Sequence, residues 1–131
     1  MRSATVTTTL PAPAPEVFEY LSRIENLPGW ATEFARELIE VDGHHKVRNG
    51  LGEFFFRIDA DPASGVIDMH AGPTLDEMAV FPTRVVSLGA DTAAYTFTMF
   101  QQPGMPDTLF DAQCASLKRE FAHIRSHFTA R

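Results

Sequence analysis

Apolar residues recur at every third or fourth position along the segment that ends the chain, from 107 to 128. This spacing places them on one face of an α-helix, so the segment predicts one long amphipathic helix. The apolar face consists of Phe110, Cys114, Leu117, Phe121, Ile124 and Phe128. Asp107 or Thr108 can cap the N terminus of this helix through a side-chain oxygen.

The first third of the chain predicts one strand followed by two short helices. Residues 3–10 are mostly β-branched and alternate loosely between polar and apolar, which is typical of a strand. Pro15 suits the first turn of a helix, because its missing N–H would be unpaired there in any case. A Pro-Gly pair at 28–29 interrupts the pattern, and a second short helix is predicted to carry Trp30 and Phe34.

Residues 36 to 101 predict a run of strands separated by turns. The turn signals are Asp42-Gly43, Asn49-Gly50 and polar loops at 61–64, 71–74 and 89–92. The order of elements is then one strand, two short helices, about six antiparallel strands and one long helix. An antiparallel sheet that faces one long helix is an α+β arrangement in two layers.

Side chains alternate between the two faces of a strand, so loop lengths predict which residues face the helix. With 61–64 as a four-residue loop, the opposite face carries an ion pair between Arg57 and Asp68, and Phe55 lies across from His70. A β-bulge would exchange the two faces. The helix-facing residues of these two strands are Phe54, Phe56, Ile58 and Met69.

The last hairpin places a cation on the same inner face. With 89–92 as a four-residue loop, Arg84 pairs with Phe97, and the inner face also carries Tyr95 and Met99. A buried arginine is costly unless it is paired. The pattern therefore predicts either a structural partner for the guanidinium, such as backbone carbonyls or a carboxylate, or an anionic group of a ligand.

Glu40 and His45 are predicted to lie together near one inner edge of the sheet, through the turns at 42–43 and 49–50. One interpretation is a general base with its orienting carboxylate. The other is a solvated pair at the end of a strand, since histidine is common on protein surfaces.

Composition and charge exclude several classes of function. The chain has 131 residues, a net charge of −6 and a pI near 5.2, and no Lys/Arg run predicts binding to nucleic acid or to an anionic membrane. No signal peptide or membrane-inserting run is predicted, and the single cysteine favours a reducing compartment, so a cytoplasmic location is expected. His123 and His127 have a spacing that can chelate a metal, but no HExxH glutamate accompanies them. Neither a metal nor a cofactor is expected.

Short motifs spread over nearly the whole chain resemble one family in their content and order. They are PEVF at 15–18, NLP at 26–28 with Trp30, GVID at 65–68, PTRVV at 82–86 and PGM at 103–105 with Asp107. With these motifs the chain resembles the START-like helix-grip superfamily (SRPBCC), and within it the bacterial polyketide cyclase/dehydrase and lipid-transport-like branch.

This resemblance implies a seven-stranded sheet curled around the C-terminal helix. It also implies a cavity between sheet and helix that takes a lipid, sterol, quinone or polyketide. In one motif the chain departs from the family, because Met69 follows Asp68 where members often have a histidine. The role of that histidine is therefore not carried over to His70.

Residues 1–131 are expected to form one ligand-binding domain of this kind. The leading hypothesis is the binding of a small hydrophobic ligand, with Arg84 orienting its polar group. The cavity is predicted to be lined by Trp30, Phe34, Phe54, Phe56, Ile58, Met69, Met78, Val80, Phe97, Met99, Phe110, Cys114, Leu117 and Phe121.

Two other hypotheses stay open. An enzyme of the polyketide cyclase or dehydratase type would use His45 and Glu40 as acid/base residues, with Arg84 stabilising an enolate. A protein-interaction module would use the outer face of the sheet to form a homodimer or to bind another partner. The predicted contact residues of that face are Phe55, His70, Val85 and Phe100.

Overall fold

The structure is a computed structural model that describes residues 1–129. Its strands are β1 Ser3–Leu10, β2 Glu37–Val41, β3 His44–Asn49, β4 Gly52–Asp61, β5 Val66–Thr74, β6 Glu77–Gly89 and β7 Thr92–Phe100. Its α-helices are α1 Ala14–Ser22, α2 Leu27–Trp30 and α3 Asp107–Thr129, and a 3-10 turn spans Ile24–Asn26. No helix within residues 1–129 is both long enough and apolar enough to span a membrane.

The seven strands form one curved antiparallel sheet in the order β1-β7-β6-β5-β4-β3-β2. The first strand, β1, pairs with the last strand, β7. The two short helices lie in the connection between β1 and β2. Helix α3 packs its apolar stripe against the inner face, where Phe110, Leu117, Phe121, Ile124 and Phe128 are all buried. The predicted α+β fold, with two short helices after the first strand and a long C-terminal helix, is confirmed.

Helix α2 is shorter than the sequence predicted. It ends at Trp30, and Ala31 leaves the helical conformation with φ −85° and ψ 55°. Phe34 therefore lies in the segment that joins α2 to β2, and the prediction that a helix carries it is wrong.

The core is built around four aromatic rings where sheet, α2 and α3 meet. The ring of Trp30 lies 6.5 Å from Tyr95, 6.5 Å from Phe97 and 6.4 Å from Phe121, measured between centroids. Tyr95 and Phe121 stack at 5.5 Å. Edge-to-face and offset arrangements of this kind are the favourable ones for aromatic pairs. The inner face predicted for β7 is thus confirmed.

The β4–β5 hairpin keeps the predicted faces but shifts the predicted pairs by two residues. Ile58, and not Phe56, lies opposite Met69. The reason is Gly65, whose φ of +80° places it in the turn, so that the loop is 62–65. A shift of two residues preserves the face of every side chain, and Phe56 and Met69 both lie on the inner face.

The outer face of this hairpin carries a different charge cluster from the one predicted. Arg57 lies opposite His70, so Phe55 does not, and Asp68 lies opposite Asp59. Asp59 Oδ2 is 3.2 Å from Nε of Arg57 and 3.1 Å from Nε2 of His70. The predicted pair between Arg57 and Asp68 is wrong, because the two-residue shift puts Asp59 between the arginine and the histidine.

A β-bulge between Ser87 and Gly89 reverses the predicted faces of β6. The turn to β7 has two residues instead of four, and the register changes by an odd number. Thr83, and not Arg84, lies opposite Phe97. Every side chain from this bulge back to the start of the strand is therefore on the other face from the one that the loop length predicted.

The reversed strand corrects several predictions at once. Arg84 is exposed on the outer face, where its Nε donates to a backbone carbonyl of the β4–β5 turn at 3.4 Å. Val85, predicted on the outer face, is buried in the core. Met78 and Val80 point outward, and Val80 is 39% exposed. Phe81 lies opposite an inner-face residue of β5 and takes the inward place.

Candidate functional site

A cavity of about 480 Å³ lies between the inner face of the sheet and helix α3. Its interior is apolar and largely buried, and is lined by Leu27, Trp30, Ala31, Phe34, Phe56, Met69, Phe81, Phe97, Met99 and Leu117. Its mouth is formed by lining residues that also reach solvent, namely Glu33, Arg36, Asn49, Gly50, Leu51, Leu109, Ala112, Gln113, Ser116 and Arg119. An apolar interior behind a largely polar entrance is the usual composition of a small-molecule site.

Glu120 on α3 is a buried acid in the wall of this cavity, with only 4% of the residue exposed. Its Oε2 accepts hydrogen bonds from the backbone N–H of Glu33 at 3.1 Å and of Phe34 at 3.0 Å. Burial raises the pKa of Glu120 to about 7, although the two backbone hydrogen bonds act in the opposite direction. The carboxyl group therefore changes its charge near neutral pH.

Side chains tie the segment between α2 and β2 to the rest of the mouth. Arg119 holds the Glu33 carboxylate with two hydrogen bonds, Nη2 to Oε1 at 2.7 Å and Nε to Oε2 at 3.0 Å. These bonds lower the pKa of Glu33, so this carboxylate stays charged. Asn49 donates from Nδ2 to the carbonyl of Phe34 at 2.7 Å. Arg36 differs from Arg119, because it makes no hydrogen bond or salt bridge within the described part of the chain.

The structure divides the sequence-predicted lining residues into three groups. In the cavity wall it places Trp30, Phe34, Phe56, Met69, Phe97, Met99 and Leu117. In or against the core, outside that wall, it places Phe54, Ile58, Phe110, Cys114 and Phe121. On the outer face it places Met78, Val80 and Arg84, for which a place in the cavity is wrong. Ligand binding by the first group stays a prediction.

Glu40 and His45 lie opposite each other on β2 and β3, as their turns predicted. The distance from His45 Nε2 to Glu40 Oε2 is 3.9 Å, and their side chains are 36% and 68% exposed. Neither residue is part of the cavity wall. This geometry matches the solvated pair better than a base with its orienting carboxylate, and a catalytic role stays a prediction.

Cys114 and His127 have contacts that favour packing over chemistry. Burial raises the pKa of the Cys114 thiol, which disfavours the reactive thiolate. The ring of His127 stacks on Tyr20 at a centroid distance of 3.8 Å. Its neighbour on the same helix, His123, is exposed to solvent.

Solved structures show the same architecture over nearly the whole chain. A START superfamily protein from Mycobacterium smegmatis is similar at a TM-score of 0.73 and 14% identity, covering 98% of this chain and 97% of the other. The chain has the START-like helix-grip fold. No protein-family model and no curated protein sequence matches it.

Two further structures with this helix-grip fold carry names that state an activity. The ZhuI aromatase/cyclase from Streptomyces sp. R1128 is similar at a TM-score of 0.66 and 20% identity, covering 95% of this chain and 89% of that chain. The di-domain ARO/CYC protein BexL of the BE-7585A biosynthetic pathway is similar at a TM-score of 0.72 and 21% identity. The match covers 99% of this chain and 47% of BexL. At these identities the similarity establishes the fold alone.

Within the helix-grip fold, sequence reasoning missed Glu120 and Phe81. A signal for Glu120 was present, because a second row on α3 borders the apolar stripe at helical spacing. Its cavity-lining members are Leu109, Gln113, Ser116 and Glu120. An acid on a row that adjoins the buried face is a candidate for burial. No comparable signal predicted Phe81, because its inward orientation depends on the bulge in β6.

Proposed function

We propose that the protein binds a small hydrophobic ligand, of a lipid-, quinone- or polyketide-like class, in the cavity between the sheet and α3. The observation that carries this proposal is the open, apolar interior of about 480 Å³. Protein interiors are close-packed, and a void of this size costs stability, so its presence favours a ligand that fills it. Its volume falls within the range of about 300–1,000 Å³ that is usual for ligand sites.

The structural relatives support the same proposal by analogy of fold. A START superfamily protein and two proteins named as aromatase/cyclases share the sheet-and-helix arrangement that encloses the cavity. Fold alone does not determine chemistry, so the argument depends on the cavity of this chain. Arg84 is no longer a candidate anchor, and the polar groups available to a ligand are those of Glu120 and the mouth.

Closing the mouth with one bulky side chain tests the proposal. Ala112 is exposed and belongs to the mouth, so Ala112→Trp should weaken binding of the neutral dye Nile red by about tenfold or more. Ala115 is exposed on the same helix but is not part of the cavity wall, so Ala115→Trp is the matched control. Equal dye affinity in the two variants, or no binding to the unaltered protein, would contradict the proposal. Native mass spectrometry of the purified protein should also reveal a co-purifying small molecule.

A second candidate function, a polyketide cyclase or dehydratase, is favoured by the buried acid in the cavity. A carboxyl with a pKa of about 7 is suited to general acid–base catalysis, and Glu120 contacts the space where a substrate would bind. His45 and Glu40 lie outside that space. If the protein is such an enzyme, Glu120→Gln should slow the cyclisation or dehydration of a poly-β-keto thioester by about a hundredfold or more. Glu40→Gln should leave the rate unchanged. The opposite pattern would favour Glu40 and His45 as the acid/base residues. Dehydration is followed by mass as the loss of water, and cyclisation without dehydration, which leaves the mass unchanged, is followed by chromatography.

Other expectations from the sequence are part of this proposal. Residues 1–131 act as one ligand-binding domain, and the cytoplasm is the expected location. A homodimer through the outer face stays a prediction, although Val85 is not available to it because it is buried. Sedimentation equilibrium measures the oligomeric state directly, and a strict monomer at high concentration would remove that prediction.

A further inference from the structure

The two carboxylate oxygens of Glu120 differ, because only one of them accepts hydrogen bonds from the backbone. Oε2 accepts both backbone hydrogen bonds, from Glu33 and from Phe34. An acceptor that already receives two N–H donors is a poor site for a proton. When the carboxyl is neutral, the proton is therefore held on the other oxygen, Oε1, which can then donate a hydrogen bond.

The charges around Glu120 define which ligand group it can receive. Three other charged side chains belong to the wall and mouth within residues 1–129, namely Glu33, Arg36 and Arg119, and the sheet and α2 contribute none. Arg119 is engaged by both oxygens of Glu33. Arg36 is exposed at the mouth, where solvent screens it. A ligand carboxylate beside Glu120 would thus meet two acids and no free buried cation.

We propose that Glu120, as a neutral carboxylic acid, donates a hydrogen bond from Oε1 to a carbonyl-type oxygen of the ligand, and that binding is coupled to uptake of a proton at this side chain. The inference rests on the proposed function and specifies its ligand class: a neutral apolar molecule that presents a ketone, quinone or ester oxygen. The site is expected to reject a carboxylate in the same position.

Proton uptake follows from the burial of the group. Glu120 lines the cavity, so a ligand that fills it displaces water from beside the carboxyl group and disfavours the ionised form further. The free protein already holds this carboxyl close to its midpoint at neutral pH, since its pKa is about 7. If the ligand raises the pKa by one unit or more, affinity should fall about tenfold as the pH rises from about 6 to about 9.

Two probes of equal shape separate the hydrogen bond from the apolar contacts. Acetylnaphthalene carries a ketone, and ethylnaphthalene with the same ring position replaces the carbonyl by a methylene group. The unaltered protein should prefer the ketone by several-fold at about pH 6 and lose that preference at about pH 9. Glu120→Gln keeps the size and an acceptor oxygen for the two N–H groups but cannot titrate, so its affinity for the ketone should not change with pH. Glu25→Gln, an exposed acid outside the cavity, should behave as the unaltered protein.

A measurement without variants gives an independent readout. Calorimetric titration of the unaltered protein with acetylnaphthalene near pH 7, in phosphate and in Tris, reports proton uptake from the difference in buffer ionisation heat. Uptake of a measurable fraction of a proton supports the proposal. Binding of both probes without proton uptake, without a preference for the ketone at low pH, or with an unchanged pH dependence in Glu120→Gln would overturn it while the proposed ligand-binding function stands. Absence of binding by either probe at both pH values would contradict the proposed function itself, and the inference with it.

Discussion

Replacing Phe121 by alanine is expected to lower the free energy of unfolding by about 3–5 kcal/mol. Phe121 is fully buried. Its ring contacts Tyr95 at 5.5 Å, Phe97 at 6.3 Å and Trp30 at 6.4 Å between centroids. Removing the ring forfeits its transfer free energy and the aromatic contacts, and it leaves a cavity between the curved sheet and α3.

Urea denaturation followed by tryptophan fluorescence measures this effect, because Trp30 is the single tryptophan and lies in the same cluster. Phe55→Ala is the matched control. Phe55 lies half-buried on the outer face, where Lys46 covers its ring with Nζ 4.4 Å from the centroid. We expect this control to cost about 1 kcal/mol. Equal losses in the two variants would mean that the inner aromatic cluster is not the main support of the fold.

The burial of Phe121 on the predicted face of α3 illustrates which part of the fold a sequence pattern can predict. The helical period of α3 repeats over six apolar residues, so a single exception such as the half-buried Cys114 does not change the face that packs on the sheet. The β4–β5 hairpin behaves similarly. Its loop was misplaced because Gly65 joins the turn, yet the error was even and Phe56 and Met69 stayed on the inner face.

The same reasoning failed at β6 for an equally physical reason. One bulge between Ser87 and Gly89 changes the register by an odd number, and this exchanges the faces of the strand. Loop length alone predicts Arg84 in the cavity and Phe81 outside it, and nothing in the sequence of β6 indicates the bulge that reverses both. A sequence pattern predicts the face of each side chain only when the number of residues in each loop and bulge is known to be even or odd. That number depends on the hydrogen bonds between the strands, which the sequence does not show.

The candidate site was harder to predict than the fold, because it depends on where α3 lies above the sheet. Glu120 of α3 lies in the cavity wall, whereas Glu40 and His45 lie outside it, on β2 and β3 at one end of the sheet. The acid can be buried there only because two backbone N–H groups, of Glu33 and Phe34, converge on it. Those donors come from the segment after α2, which the sequence predicted as part of a helix.

Glu120 is expected to make the folded protein less stable as the pH rises from about 5 to about 8. Its pKa is raised from 4.5 to about 7 by folding, so between these values the folded state holds a proton that the unfolded state has released. The stabilisation is fully present below pH 4.5 and is lost as the pH rises through about 7. At about 1.4 kcal/mol for each unit of pKa difference, the complete loss is about 3 kcal/mol.

Urea denaturation across this pH range, compared between the unaltered protein and Glu120→Gln, isolates the contribution. The variant keeps an acceptor for the two N–H groups but has no titrating carboxyl. The unfolding free energy of the unaltered protein minus that of the variant should therefore fall as the pH rises. Glu33 and Asp107 act in the opposite sense, since their pKa values are lowered and their stabilisation is lost as the pH falls. They are common to both proteins and cancel in the comparison. Parallel stability curves would mean that the carboxyl is ionised at no cost in the folded state, and Glu120 could then not serve as a neutral donor to a ligand at neutral pH.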